Sequence, residues 1–194
     1  MYNVYQQPYF IYPYPCYMNT PQYNPNTMYN PYNMYRCCPY CHNDEHMKTQ
    51  KSSKIQLKDY GPYPFVVNIE EATKQNNTFR TALWTGENLQ LTLMSIPVGG
   101  EIGLEIHPET DQFLRIEDGE GIVKMGRRKD SLDFQHKVYD DFSFIIPAGI
   151  WHNLVNTGNK PIKLYSIYAP PQHPHGTVHP TKDDAEEAEE HHDH

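Results

Sequence analysis

The sequence predicts an all-β protein, a single sandwich or barrel built from roughly ten short strands. Three observations point there. Short runs alternate apolar and polar residues, the period of a strand with one buried face. Turn formers separate the runs: Thr85-Gly86, Gly99-Gly100, Asp118-Gly119 and Thr157-Gly158-Asn159. No stretch shows the 3.6-residue apolar period of a helix.

The expected strands, in order, are FVVNI (65–69), FRTALW (79–84), LQLTLMSI (89–96), IGLEIH (102–107), QFLRI (112–116), GIVKMG (121–126), FQHKVY (134–139), FSFII (142–146), WHNLVN (151–156) and IKLYSIY (162–168). In LQLTLMSI, alternation puts Leu89, Leu91 and Leu93 on one face and Gln90 and Thr92 on the other. Periodicity leaves open which face lines the interior. These strands define one domain over residues 55–172, and about 110 residues suffice to enclose a core. The expectation for both flanks, 1–54 and 173–194, is disorder.

Charge supports that division. The chain of 194 residues carries a formal net charge of −8. Residues 180–194 hold seven acids against Lys182, so six of those eight charges lie in the tail. The segment DDAEEAEEHHDH has too few apolar residues to fold. His173, His175 and His179 precede it, either as a surface loop or as a cover over the barrel mouth. No basic face or run points to nucleic acid. No apolar run is long enough to span a bilayer, and no secretory signal is visible. The expectation is therefore a cytoplasmic protein without membrane or nucleic-acid partners.

The first 54 residues are of a different kind. Eleven of the sixteen Tyr fall within the first 40 residues, mixed with Pro, Asn and Gln. Frequent Pro blocks regular backbone pairing, and such a segment cannot bury a core alone. Its amphipathic rings favour self-assembly. All four Cys lie here, at Cys16, Cys37, Cys38 and Cys41. Cys38-x-x-Cys41 with His42 and His46 could hold zinc, but a second well-spaced half is missing, so free or cross-linking thiols are expected. The composition resembles the Tyr- and Pro-rich segments of bacterial spore-coat proteins, which implies assembly into a spore coat. A plain disordered extension is the alternative.

The residues that carry chemistry lie in two stretches. In Gly99–Gly119, Glu105 and His107 alternate with apolar residues, so on a strand both point to one face. Gln112 opens the next apolar run, after a turn containing Pro108. In Pro147–Asn156, His152 sits just past a Pro-x-Gly turn. A carboxylate, two imidazoles and an amide oxygen form a mixed N/O set suited to a first-row divalent metal. They come from distant parts of the chain, and only a closed sheet brings them together.

These two stretches resemble the two motifs of the cupin superfamily. The first family motif runs Gly, five residues, His-x-His, three or four residues, Glu, six residues, Gly. Here Gly99 is followed by five residues and Glu105-x-His107, then by Gln112 after four more, and by Gly119 after six more. The second runs Gly, five residues, Pro-x-Gly-x-x-His-x-x-x-Asn. Asp141 stands in the Gly place, and Pro147, Gly149, His152 and Asn156 match. The resemblance covers residues 65–169 and implies a single cupin-type jelly-roll barrel, all-β, with a divalent metal inside, Mn, Fe, Ni or Zn. It also implies a small-molecule ligand and a homodimer.

The departures are chemically coherent. Glu105 replaces the first His and Gln112 replaces the Glu, so the carboxylate has moved but still counts one. A dication keeps a formal charge of about plus one in either arrangement. The swap lowers the softness of the set, which favours Mn, Fe or Ni less strongly than three imidazoles do. Asp111 rivals Gln112 as fourth ligand, but alternation turns it to the other side of the strand. A pocket that has lost its metal and binds a small molecule by hydrogen bonds is the competing reading.

Three further residues admit two readings each. Trp151 is expected to face away from His152, in core or interface. Arg80 is expected to point outward in a salt bridge, with an anionic substrate as its alternative partner. His136 is expected to be solvent-exposed. No nucleophile elbow accompanies the Ser, His and Asp of the chain, so nucleophilic catalysis is not favoured. Two function classes remain: a small metal-dependent enzyme of oxygenase, decarboxylase or sugar-isomerase type, or a non-catalytic binding or structural protein assembled through the Tyr- and Cys-rich arm. The sequence leaves enzyme status open.

Overall fold

Strand alternation becomes two antiparallel sheets packed face to face. The computed structural model describes residues 54–190. The strands are β1 (Arg80–Thr85), β2 (Gln90–Ile96), β3 (Asp111–Asp118), β4 (Glu120–Gly126), β5 (Phe134–Tyr139), β6 (Ser143–Ile146), β7 (Trp151–Asn156), β8 (Ile162–Ala169) and β9 (Val178–His179). Helix α1 (Ile69–Gln75) precedes them and α2 (Lys182–Glu190) follows. The larger sheet runs β6-β3-β8-β2-β1-β9 and the smaller β5-β4-β7. This is the cupin-type all-β fold the sequence predicts. Among the described residues no helix is long and apolar enough to cross a membrane.

Register sorts the interior into a polar end and an apolar end. Gln90, Tyr168 and Gln112 lie side by side on β2, β8 and β3. The next inward row is Thr92, Ser166 and Leu114, and the next is Met94, Leu164 and Ile116. Ile96 and Ile162 close the apolar end. All of these are buried. The smaller sheet follows the same order on β7, with His152 at the polar end, then Leu154 and Asn156. Apolar residues of both sheets meet in one core, which includes Met94, Leu114, Val123, Leu154 and Leu164.

The other face of β2 is covered as well. Leu83, Leu93 and Ala72 form a second apolar cluster, packed by Ile55, Leu57, Phe65 and Val67. Both faces of β2 are therefore buried, which is why its alternation could not name the inner one.

Three expected elements differ. FVVNI forms no strand: Val66 is almost fully exposed, and Asn68 accepts a hydrogen bond from Glu71 N to cap α1. Seven residues are too few for a helical period to show in sequence. IGLEIH makes isolated bridges rather than a ladder strand, Glu105 opposite His152 and Glu101 opposite Val155 outside it. The third is the segment expected as a tail from 173, which carries β9 and α2. Thr181 N and Oγ1 both donate to Asp184 Oδ2, and Asp184 N donates back to Thr181 Oγ1, a reciprocal cap on α2. Ala185 then enters the main core. One buried alanine and a cap hold what net composition suggested was unfoldable. The Tyr-rich segment with Cys16, Cys37, Cys38 and Cys41 lies outside the described residues, as do residues 191–194.

Two motif positions have structural explanations. Asp141 adopts φ 69°, a left-handed turn where Gly is usual and Asp is among the tolerated substitutes. Its Oδ1 also accepts from Arg115 at 2.6 Å. Asn156, buried at the apolar end, donates to the carbonyls of Ile96, Pro97 and Lys160 and accepts from Gly158 N. It ties β2, β7 and the turn before β8 together, with no part in the site. Asn156→Ala leaves several buried carbonyls without donors and should cost about 2–3 kcal/mol in urea unfolding. A loss below about 0.5 kcal/mol, the scale of a neutral surface change, would contradict this role.

Candidate metal centre

Backbone pairing carries Glu105 and His107 onto the start of β7. Glu105 N donates to His152 O and His152 N to Glu105 O, both at 3.0 Å. Gly149 N donates to His107 O at 2.8 Å, from a glycine with φ 75° in the Pro147 turn. Alternation on β7 then turns His152 inward and Trp151 outward, where Lys129 Nζ lies 5.3 Å from its ring centre. His136 is exposed, as expected.

The three side chains converge. Glu105 Oε1 lies 3.1 Å from His152 Nε2 and 3.4 Å from His107 Nε2. One ligand atom from each of Glu105, His107 and His152 falls within 4.8 Å of the others. His152 Nδ1 is 2.9 Å from the Ile150 carbonyl oxygen. A carbonyl only accepts, so the ring carries its proton on Nδ1. In a neutral ring Nε2 then sets a lone pair against an anionic oxygen, and a positive group between them relieves that contact. This is the usual arrangement of a metal-binding histidine, whose second nitrogen donates to a carbonyl. His107 Nε2 is buried and makes no hydrogen bond among the described residues, although its ring packs edge-on to Tyr168.

Gln112 sits on β3 beside Tyr168 with its side chain buried. Its Nε2 donates to Ser166 Oγ at 3.0 Å, and its carbonyl Oε1 is buried with no partner among the described residues. An amide oriented by its donor end, with a spare oxygen, is chemically ready to ligate. Asp111 is committed elsewhere, its Oδ1 accepting from Ala148 N at 2.8 Å. The Glu105, His107 and His152 donors thus fit a divalent cation.

Arg80 was expected outside and is inside. It pairs with Met94 on one side and His179 on the other, and it is 1% exposed. Burial alone would raise the Glu105 pKa. The close His107 and His152 rings, with the field of Arg80, outweigh it and hold this carboxyl far below the usual range. Glu105 is anionic at neutral pH.

A cavity of about 640 Å³ opens beside Glu105 and His107, and the segment after β8, including His173 and His179, also lines it. That segment is firmly tied. Gln90 Nε2 donates to His173 O at 2.8 Å, and His173 N donates to Gln90 Oε1 at 2.9 Å. Gly176 N donates to Asp59 Oδ2, and Ala82 N to Thr177 O. Two of the three histidines after the barrel, His173 and His179, thus line the cavity, while His175 is exposed with its Nε2 3.1 Å from Gly61 O. Arg80, Tyr168 and the two inner histidines were not identified as site residues from sequence. The clustering of His between prolines was the available signal.

Comparison with known proteins agrees with this fold. The family model described as the Cupin domain matches residues 92–168. The Bacillus subtilis protein YrkC is 70% identical over 136 residues, covering 70% of this chain and 73% of its own. Protein L612 of Acanthamoeba polyphaga mimivirus is 40% identical over 115 residues, covering 59% and 70%. The crystal structure of BH2720 from Bacillus halodurans superposes with a TM-score of 0.67 at 67% identity, covering 67% of this chain and 98% of that one.

Burial, followed by the charge of Arg80, pushes His173 down to about 2, and both causes lower His179. The folded state then binds fewer protons than the unfolded chain below the ordinary histidine range. Stability falls as pH drops below about 6.5, at no more than ~1.4 kcal/mol per pH unit for one proton. His173→Gln removes one such group. Between pH 7 and 4.5 its melting temperature should fall by clearly less than that of the parent chain. Parallel profiles would contradict the burial of a neutral His173.

Proposed function

The chain belongs to the cupin superfamily, and from that premise we propose that it is a small metal-dependent enzyme acting on a small molecule in the barrel mouth. Glu105, His107, Gln112 and His152 would hold one divalent cation, Mn, Fe, Ni or Zn. The observation that carries this reading is His152, oriented by the Ile150 carbonyl so that Nε2 meets the Glu105 carboxylate at 3.1 Å. When bound, such a metal acts as a Lewis acid on a ligand oxygen and as a template for its orientation.

The protein's own residues have separable tasks here. Glu105 supplies the one negative charge of the set and offsets half the formal charge of the cation. Ser166 fixes the Gln112 amide so that its oxygen is left for the cation. The segment over the mouth limits water, which strengthens every electrostatic contact inside. A second reading, a non-catalytic protein that assembles through its N-terminal arm, is favoured by the Tyr and Cys composition of residues 1–54. It predicts oxidation-dependent multimers that a chain starting at residue 55 does not form.

Metal content after identical purification tests the ligand set. Glu105→Gln and His152→Ala should each weaken binding by more than ~100-fold, since loss of even a ligand's outer partner costs about 10–100-fold. Glu105→Gln should be the worse of the two. Gln112→Glu should retain or tighten the metal, and Asp111→Ala should change it little. Unchanged stoichiometry in both Glu105→Gln and His152→Ala, or loss confined to Asp111→Ala, would overturn the assignment.

A further inference from the structure

The cavity beside the candidate metal centre has its own unmet chemistry. His173 Nε2 and His179 Nδ1 are both buried without a hydrogen-bond partner among the described residues. Their rings lie 6.5 Å apart, nearly perpendicular, and both residues line the cavity shared with Glu105 and His107. A buried polar atom left unpaired lowers stability, so two in one cavity lining leave room for a partner from outside the chain. Tyr168 stands between the groups, edge-on to His107 on one side and to His173 on the other.

The chemistry of that partner follows from charge and shape. The field of Arg80 reaches both histidines and Glu105. This disfavours a second cation at the histidines. The one grouping of three His or acidic ligands among the described residues uses neither of them. A neutral imidazole can turn an N–H toward an acceptor, and a carboxylate has two oxygens to receive one from each ring. Pro108, Pro171 and Pro174 line the same cavity and suit a hydrocarbon body.

We propose that His173 and His179 bind the carboxylate group of a small organic acid, held in the cavity between them and the metal centre. The inference deepens the metal reading and rests on it for the cation beside the same cavity. It places specificity in the segment after β8, beyond residue 168 where the family domain ends. The acid's carboxylate lies at the histidine wall, and the rest of the molecule extends toward Glu105 and His107.

The test uses the full-length chain loaded with zinc. Propionate, its uncharged counterpart propionamide and inorganic phosphate are titrated by calorimetry, with imidazole nitrogen shifts followed by NMR and zinc measured on the same samples. Propionate should bind and shift the His173 and His179 signals. Propionamide should bind at least ~10-fold more weakly, the scale of a lost charge-assisted hydrogen bond. His173→Phe and His179→Phe should each weaken propionate by about fivefold or more while zinc content and melting stay near the parent values. Where either variant fails to fold, the nitrogen shifts in the parent chain decide. Unmoved shifts, equal binding of propionamide, tighter binding of phosphate, or parent-like propionate affinity in both folded variants would overturn the proposal. If zinc does not bind, the metal reading fails on its own. The propionate titration is then run on the metal-free chain, where the same two signals decide.

Discussion

The site depends on the withdrawal of one carboxylate from water. The Glu105 side chain is 17% exposed and carries a full negative charge in a polar cleft between two sheets. Burying a charge is tolerated only where donors or opposite charge replace the lost solvent. His107 and His152 crowd the carboxylate, and the field of Arg80 supplies part of that replacement. Their arrangement requires Glu105 and His152 to face each other across a two-bond backbone bridge. It also requires Arg80 to point inward from β1.

The rest of the barrel makes that cleft affordable by dividing its interior. One end is apolar, with Met94, Ile96, Leu114, Ile116, Ile162 and Leu164 in one core. The other end gathers Gln90, Thr92, Gln112, Ser166 and Tyr168 from the same strands. Each strand is thus apolar at one end and polar at the other on a single face. Asn156 locks the apolar end through three carbonyls, so the polar end can carry unpaired atoms without loss of the fold. The segment after β8 then closes the mouth through backbone bonds to Gln90, Asp59 and Ala82, which leaves its histidine rings for the cavity.

Much of this was legible in the sequence because it rests on period and spacing. Eight of the expected runs overlap β1 to β8, and the two motifs bring Glu105, His107 and His152 together. What was hidden depends on tertiary context. Arg80 looked like a surface residue because a lone Arg on a strand usually is, and its inward turn follows from pairing with Met94. FVVNI looked like a strand because its apolar residues cover β2 from outside rather than join the sheet. The acidic tail looked unfoldable because a cap from Thr181 to Asp184 and one buried alanine leave no compositional trace. His173 and His179 were visible only as a cluster of His between prolines. Their role depends on Gln90, more than eighty residues away, fixing the backbone between them and the barrel.

The central claim is that one cation joins two imidazoles and one carboxylate at the polar end of the barrel. Pulsed electron paramagnetic resonance on the manganese-loaded full-length chain reads this directly, because coupled imidazole nitrogens can be counted. The account predicts two coupled imidazoles, falling to one in His107→Ala and to one in His152→Ala. A manganese spectrum without imidazole coupling, or a count of two that survives both substitutions, would contradict it.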